Sequence, residues 1–364
     1  MRASDTVARL GGDEFAVLLP GADTESAVGT ARKLLAALVE PVTLREHAVV
    51  AGGSSGIALY PDHGADATTL LRQADVAMYA AKRGGTGYAL YNPAQDQHSP
   101  RRLSLISALQ RGIAHDELRL HYQPTVDMTT GQVHLVEALA RWQHPEQGLL
   151  PPDAFIPLAE QTGLIVPLTR WVLATAVRQV RAWREGGLDL GVAVNLSARV
   201  LDDPDLPDSI AALLDAYEVP AARLRVEVTE SAVMANATRA LDVLTRLSTS
   251  GVRIAIDDFG TGYSSLAYLK RLPVDEIKID KSFVTHMTTE SDDATIVAST
   301  IGLGHSLGLR FVAEGVESRG VWQALDALGC DGAQGYYVSR ALPADALAGW
   351  LRETSWVRGQ QPPS

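Results

Sequence analysis

The chain has 364 residues, 46% of them hydrophobic and 21% charged, with a formal net charge of −11. This is the composition of folded globular domains, two or three in number or one barrel with a smaller companion, and the negative balance argues against a basic stripe for nucleic-acid polymers. Apolar runs such as 192–196 are strand-length and far short of a bilayer span, no secretory signal is visible, and a lone cysteine cannot form an internal disulfide, so a cytoplasmic setting is expected.

In chain order, VARL-GG-DEFAVLLP (7–20) reads as strand, Gly-Gly turn and strand, a hairpin. Residues 23–39 have helical spacing, with Asp23 or Thr24 as the cap. A second hairpin-like region runs to about Tyr60 and 66–82 is again helical. Gly84, Gly85 and Gly87 end that helix, and YALYNP (88–93) closes the block. The polar, proline-containing QDQHSPRR (95–102) is a linker or the start of the next helix. The expected division is 1–93, a linker at 94–103, a main domain at 104–355 and a tail at 356–364.

After the linker the pattern becomes regular. Strand-like runs fall at 118–124, 134–142, 190–197, 224–230, 253–260, 276–283, 310–317 and 331–338, and most intervals hold a helical stretch, as at 166–183 and 294–308. Eight strands alternating with helices over about 250 residues are what an α/β fold of the TIM-like (β/α)8 barrel type requires. An open doubly wound sheet is the alternative, since the pattern does not carry strand direction or closure.

The polar residues carry the functional argument. Glu137 follows HLV, Asn195 follows VAV, Glu227 follows LRV, and Asp257 and Asp258 follow IAI. Lys278 lies between two isoleucines, Glu314 follows FVA and Gln334 follows DGA. An isolated buried carboxylate costs several kcal/mol unless it is paired or binds a metal. Several at the ends of successive strands point to one shared site at the barrel mouth, where barrel enzymes place their chemistry. Carboxylates and an amide oxygen are hard donors that suit Mg²⁺ or Mn²⁺ better than Zn²⁺. Adjacent Asp257 and Asp258 could bridge two ions about 4 Å apart, an arrangement that activates water against a phosphodiester. None of the nine histidines has metal-ligand spacing, and His286 and His305 read as surface or helix residues. DFGTGYSSL (258–266) reads as a flexible loop beside this centre or as an ordinary strand-to-helix turn. Cys330 reads as a small buried residue.

EALARW (137–142), NLS (195–197), EVTE (227–230), DDFGTGYSSL (257–266), KIDKSFV (278–284), EGVE (314–317) and GAQGYYVSR (332–340) together resemble the EAL family of cyclic-di-GMP phosphodiesterases. The resemblance covers 101–355 in order and spacing. It implies hydrolysis of cyclic di-GMP to linear pGpG with two Mg²⁺ or Mn²⁺ ions. Glu137, Asn195, Glu227 and Asp257 would bind the first ion, Asp257 and Asp258 the second, and Gln334 would complete the network. Lys278 and Glu314 would hold and activate the water, either one being a plausible proton acceptor. Gln123, Arg141 and Asp280 resemble substrate contacts, and Glu230 resembles a residue that anchors the 258–266 loop. The family also suggests a homodimer through the barrel. Relatives that lose one of these groups act only as receptors, which makes a silent cyclic-di-GMP receptor the competing reading.

The opening block resembles the GGDEF family of diguanylate cyclases. Gly11, Gly12, Asp13, Glu14 and Phe15 match its signature, ADVAMYAAK (74–82) matches its second half, and Arg2 and Asp5 resemble its product-binding inhibitory site. The segment that precedes this hairpin in the family, with a metal-binding aspartate, has no counterpart here, and Thr86 stands where relatives often carry a basic phosphate contact. Residues 1–93 are therefore expected to be a partial α+β GGDEF-like domain with a degenerate site, and cyclase activity is disfavoured.

Overall fold

The structure is a computed structural model that describes residues 2, 4–11, 14–39, 42–44, 47–49, 52–84, 86–93, 100–260 and 271–354. It falls into two compact units, Met1–Ser107 and Ala108–Ser364. The division lies inside helix Pro100–Ala114, so the proline of the expected linker begins a helix.

In the first unit, strands β1 (Thr6–Gly11) and β2 (Glu14–Leu18) form the expected antiparallel hairpin. Helix α1 (Thr24–Val39) follows, and Asp23 caps it by accepting from the Ser26 amide at 2.9 Å. In the second hairpin-like region, β3 (Val42–Leu44) pairs antiparallel with β4 (His47–Val49) among the described residues. The next strand, β5 (Ser55–Ile57), runs parallel to β6 (Tyr88–Leu90), joined by helix α2 (Ala67–Gly84). Gly56 permits this packing, because a Cβ there would lie 1.8 Å from the Ala74 carbonyl oxygen. Ala27, Ala31 and Ile57 form the core, with Leu19, Val28, Leu59, Tyr88 and Leu90 against it.

The second unit is a closed barrel. Its strands are β7 (Leu118–Asp127), β8 (Val133–His144), β10 (Gly191–Leu196), β11 (Leu224–Thr229), β12 (Arg253–Phe259), β13 (Glu276–Ile279), β14 (Arg310–Ala313) and β15 (Gly332–Ala333), with β9 (Gly148–Leu150) and β16 (Leu342–Pro343) appended. Seven are parallel in succession; β7 is antiparallel to both β8 and β15 and closes the ring between them. Closure excludes the open-sheet alternative. Helices such as Ile165–Glu185 and Ala237–Thr249 cover the outside with buried aliphatic stripes. Alternation assigns the interior. In β13 all four residues are buried, Ile277 and Ile279 on one face and Glu276 and Lys278 on the other. Among the described residues no helix is long and apolar enough to cross a membrane.

Candidate active site

The register of the parallel strands gathers the polar residues at their C-terminal ends. Asn195 lies opposite Glu227 on β10–β11, Glu137 faces Ala193 on β8–β10, and Thr229 faces Asp257 on β11–β12. Across the antiparallel pair, Gln123 of β7 faces Glu137 of β8.

Adjacent strand residues ordinarily point to opposite faces, so Asp257 and Asp258 need a local exception. It is a register shift between Ile256 and Phe259, with Asp258 in the left-handed region at φ 53°. The irregularity brings one carboxylate oxygen from each of Asp257, Asp258 and Glu314 within 4.8 Å of one another.

Lys278 is the hub. It is 2% exposed, and its Nζ lies 2.6 Å from Glu314, 2.7 Å from Glu227, 3.3 Å from Glu137 and 3.4 Å from Asp257. Glu137 accepts from Asn195 Nδ2 and from Gln334 Nε2, both at 2.6 Å. The Gln334 amide is oriented by Thr125, whose hydroxyl donates to Gln334 Oε1 at 2.9 Å. Gln123 Nε2 donates to the Ser339 carbonyl at 3.1 Å. Thr125 was not singled out from sequence, although it lies two residues beyond Gln123 and so on the same strand face.

The charges do not balance. Burial works against ionised Glu137, but the Lys278 ammonium and the Gln334 and Asn195 hydrogen bonds outweigh it and hold that carboxyl below its ordinary value. Glu227 is pushed well up, first by burial and then by the Glu137 and Asp257 charges, against the pull of Lys278. Burial likewise raises Glu314, to about 7, and raises Asp258, with Asp257 and Asp280 adding to the latter. Lys278 itself is held well above its ordinary value, because the surrounding carboxylates overcome the cost of its burial. Among the described residues, four acids lie within 4 Å of this ammonium, with Asp258 beside them. Such an excess of oxygen donors fits divalent cations, whose charge would relieve the repulsion.

Other expected residues stand as follows. Arg141 is on the Glu137 face of β8, four residues on, with Nη1 donating to the Ala140 carbonyl at 2.8 Å. Asp280 caps helix Lys281–Val284 by accepting from Ser282 N–H at 2.9 Å, and its side chain hydrogen-bonds Asp258. Glu230 begins helix Glu230–Ala235 directly after β11. Residues 261–270, with most of the 258–266 loop, lie outside the described residues, as do Gly12 and Asp13. Gly11 and Glu14 pair across the hairpin, and the Arg2 amide donates to the Asp5 carboxylate. Cys330 is buried as expected, and His286 and His305 are exposed, His305 pairing with Asp331 at 2.9 Å.

Residues 106–341, well over half of the chain, match the EAL domain family. The chain belongs to that family. Residues 1–87 match the diguanylate cyclase GGDEF domain, in keeping with a partial domain of that type. Among relatives, the bifunctional diguanylate cyclase/cyclic di-GMP phosphodiesterase MucR of Pseudomonas aeruginosa is 44% identical over 349 residues, 95% of this chain and 51% of that protein. The cyclic di-GMP phosphodiesterase PdeR of Escherichia coli is 40% identical over 347 residues, 95% of this chain and 52% of its own. The chain thus spans about half the length of these curated relatives. Of solved structures, the PaMucR phosphodiesterase in complex with c-di-GMP is 47% identical with a TM-score of 0.65, covering 67% of this chain and 99% of that one. The FimX EAL domain of Pseudomonas aeruginosa bound to c-di-GMP is 26% identical with a TM-score of 0.61, covering 65% and 96%. The EAL barrel of this chain has their fold, with the carboxylate cluster at its mouth.

Proposed function

We propose that the EAL barrel is a divalent-metal-dependent cyclic-di-GMP phosphodiesterase that opens one diester to give linear pGpG. The observation that carries this is the Lys278 hub: Glu137, Glu227, Asp257 and Glu314 converge on one buried ammonium, with Asn195, Gln334 and Asp258 completing the donor set. Glu137, Asn195, Glu227 and Asp257 would hold one ion, and Asp257 with Asp258 a second. When bound, such ions polarise a phosphodiester oxygen and acidify water.

The chain's own residues do the rest. Lys278, kept protonated by its carboxylates, donates hydrogen bonds and orients the attacking water rather than taking its proton. Glu314, 2.6 Å from Lys278 and at the edge of the cluster, is the group placed to accept that proton. As the water oxygen bonds to phosphorus, the bond to the 3′ oxygen breaks, leaving a 3′ hydroxyl and a 5′ phosphate. Gln123, opposite Glu137, and Arg141, four residues beyond it on β8, suit contacts to the dinucleotide. A homodimer through the barrel, to be read by light scattering, belongs to the same reading.

The test is product analysis after incubation with cyclic di-GMP in Mn²⁺, Mg²⁺ or EDTA. Metal-dependent pGpG is expected. Tight binding without product would replace the enzyme reading with that of a receptor.

A further inference from the structure

Because β7 runs against its neighbours, its residue numbers fall toward the barrel mouth. Leu118, Leu120 and Tyr122 are buried on its outer face, where the Tyr122 ring meets Trp183 edge-on with centroids 4.8 Å apart. Arg119, His121 and Gln123 alternate with them on the inner face. Across the β7–β8 pair, Gln123 is level with Glu137, His121 with Leu139 and Arg119 with Arg141. His121 thus stands one step above the carboxylate cluster and diagonal to Arg141, whose positive charge it feels. Its ring is half-buried, and one ring N–H meets the Ala341 carbonyl, much as Gln123 Nε2 meets that of Ser339 at 3.1 Å. Among the described residues the ring has no other hydrogen-bond partner.

A neutral imidazole that donates from one nitrogen can only accept at the other. Partial burial and the Arg141 charge both favour that neutral form. The mouth therefore presents an acceptor beside a guanidinium that suits a phosphate. In a cyclic dinucleotide the 3′ and 5′ oxygens are esterified, so the donor adjacent to each phosphate is the ribose 2′ hydroxyl. We propose that His121 accepts from the 2′ hydroxyl beside the phosphate that Arg141 holds, and so sets a preference for a ribose that carries this hydroxyl. This inference rests on the phosphodiesterase reading above. The carboxylate cluster acts on the diester and is blind to the sugar. His121, one step above it, is placed to read the sugar.

The test compares the full chain with its His121→Phe and His121→Ala variants on cyclic di-GMP and on its 2′-fluoro analogue. The analogue keeps the ribose pucker but has no donor at that position. Both are followed at pH 8, as kcat/KM in Mn²⁺ and as Kd by calorimetry in EDTA. The wild-type chain is expected to prefer the hydroxyl form, and each variant to lower that preference about tenfold, the loss of one hydrogen bond. A preference that stays within about threefold of wild type overturns the proposal, since a residue that only holds Ala341 would affect both substrates alike. If neither variant folds, the wild-type chain decides: a preference of about tenfold supports the contact and equal use of the two substrates overturns it. If the wild-type chain hydrolyses neither, the phosphodiesterase reading fails by itself. The Kd preference then decides in the same way, and a wild-type chain that binds neither ligand overturns the contact.

Discussion

Replacing Glu137 by glutamine removes one charge from the cluster at nearly constant volume. In the native site Oε1 accepts from Asn195 at 2.6 Å, while Oε2 accepts from Gln334 at 2.6 Å and from Lys278 at 3.3 Å. A glutamine has one oxygen, so its amino group must meet a donor whichever way it turns. Asn195 is exposed and can flip to present its oxygen, while Gln334 keeps its bond from Thr125. The variant therefore keeps a bonded network and loses the charge assistance, worth about 1.5–3 kcal/mol for bonds to an ionised group. Part is returned, because Glu227 and Glu314 both feel the Glu137 charge. A net loss of about 1–2 kcal/mol is expected, lowering Tm by about 2–8 °C for a unit of this size. Turnover should suffer far more, by about 1000-fold or beyond, since a charged oxygen donor is lost at the reacting centre. Scanning calorimetry in EDTA and cyclic-di-GMP hydrolysis in Mn²⁺ measure the two effects. A folded Glu137→Gln chain with kcat/KM within tenfold of wild type would refute the site. A raised Tm would refute the order of the charge effects.

Three further outcomes are expected. In EDTA the raised carboxyls of Glu314, near 7, and of Glu227 bind protons more tightly in the native than in the unfolded chain. The Glu314 contribution is full below the ordinary carboxylate range and is lost as pH rises through 7, and Glu227 acts in the same direction, so Tm should be lower at pH 8 than at pH 6. Excess Mn²⁺ should reduce that difference, and a flat profile in EDTA would count against the charge excess. Asp258→Gly should melt above Asp258→Ala by about 1 kcal/mol, the cost of a Cβ in the left-handed region, and equal melting would contradict the backbone geometry. Cys330, its thiol pushed up to about 12 by burial, should resist iodoacetamide at pH 8 until the chain is unfolded, as mass spectrometry would show; rapid labelling of the native chain would refute its burial.

The upper ring of the barrel was legible because a carboxylate after a run of β-branched residues has few explanations, and the same pattern recurs on strand after strand. Strand direction was not legible, since an alternating pattern reads the same both ways; hence β7 emerged as antiparallel only with its partners in place. The same limit hid the parallel pairing of β5 with β6, whose register depends on residues more than 30 positions apart. Glu276 was missed for a different reason. It shares the interior face of β13 with Lys278 but pairs with Arg225, which lies 51 residues earlier on another strand. Asp280, similar to a substrate contact by its motif, has a local role that its spacing to Ser282 does announce, as the cap of the next helix.

Strain and charge at this mouth have a common origin. A regular β12 would direct only one of Asp257 and Asp258 toward the cluster. The bulge with Asp258 at positive φ keeps both near Glu314, at the cost of an unfavourable backbone conformation and of added repulsion. The surrounding barrel can sustain this because Ile254, Ile256, Ile277 and Ile279 of the same two strands are almost fully buried, each contributing about 1.5–3 kcal/mol. A cluster built for stability would match its acids with bases. This one, among the described residues, sets Glu137, Glu227, Asp257 and Glu314 within 4 Å of Lys278 with Asp258 beside them, and the neutrality it lacks is what divalent cations would supply.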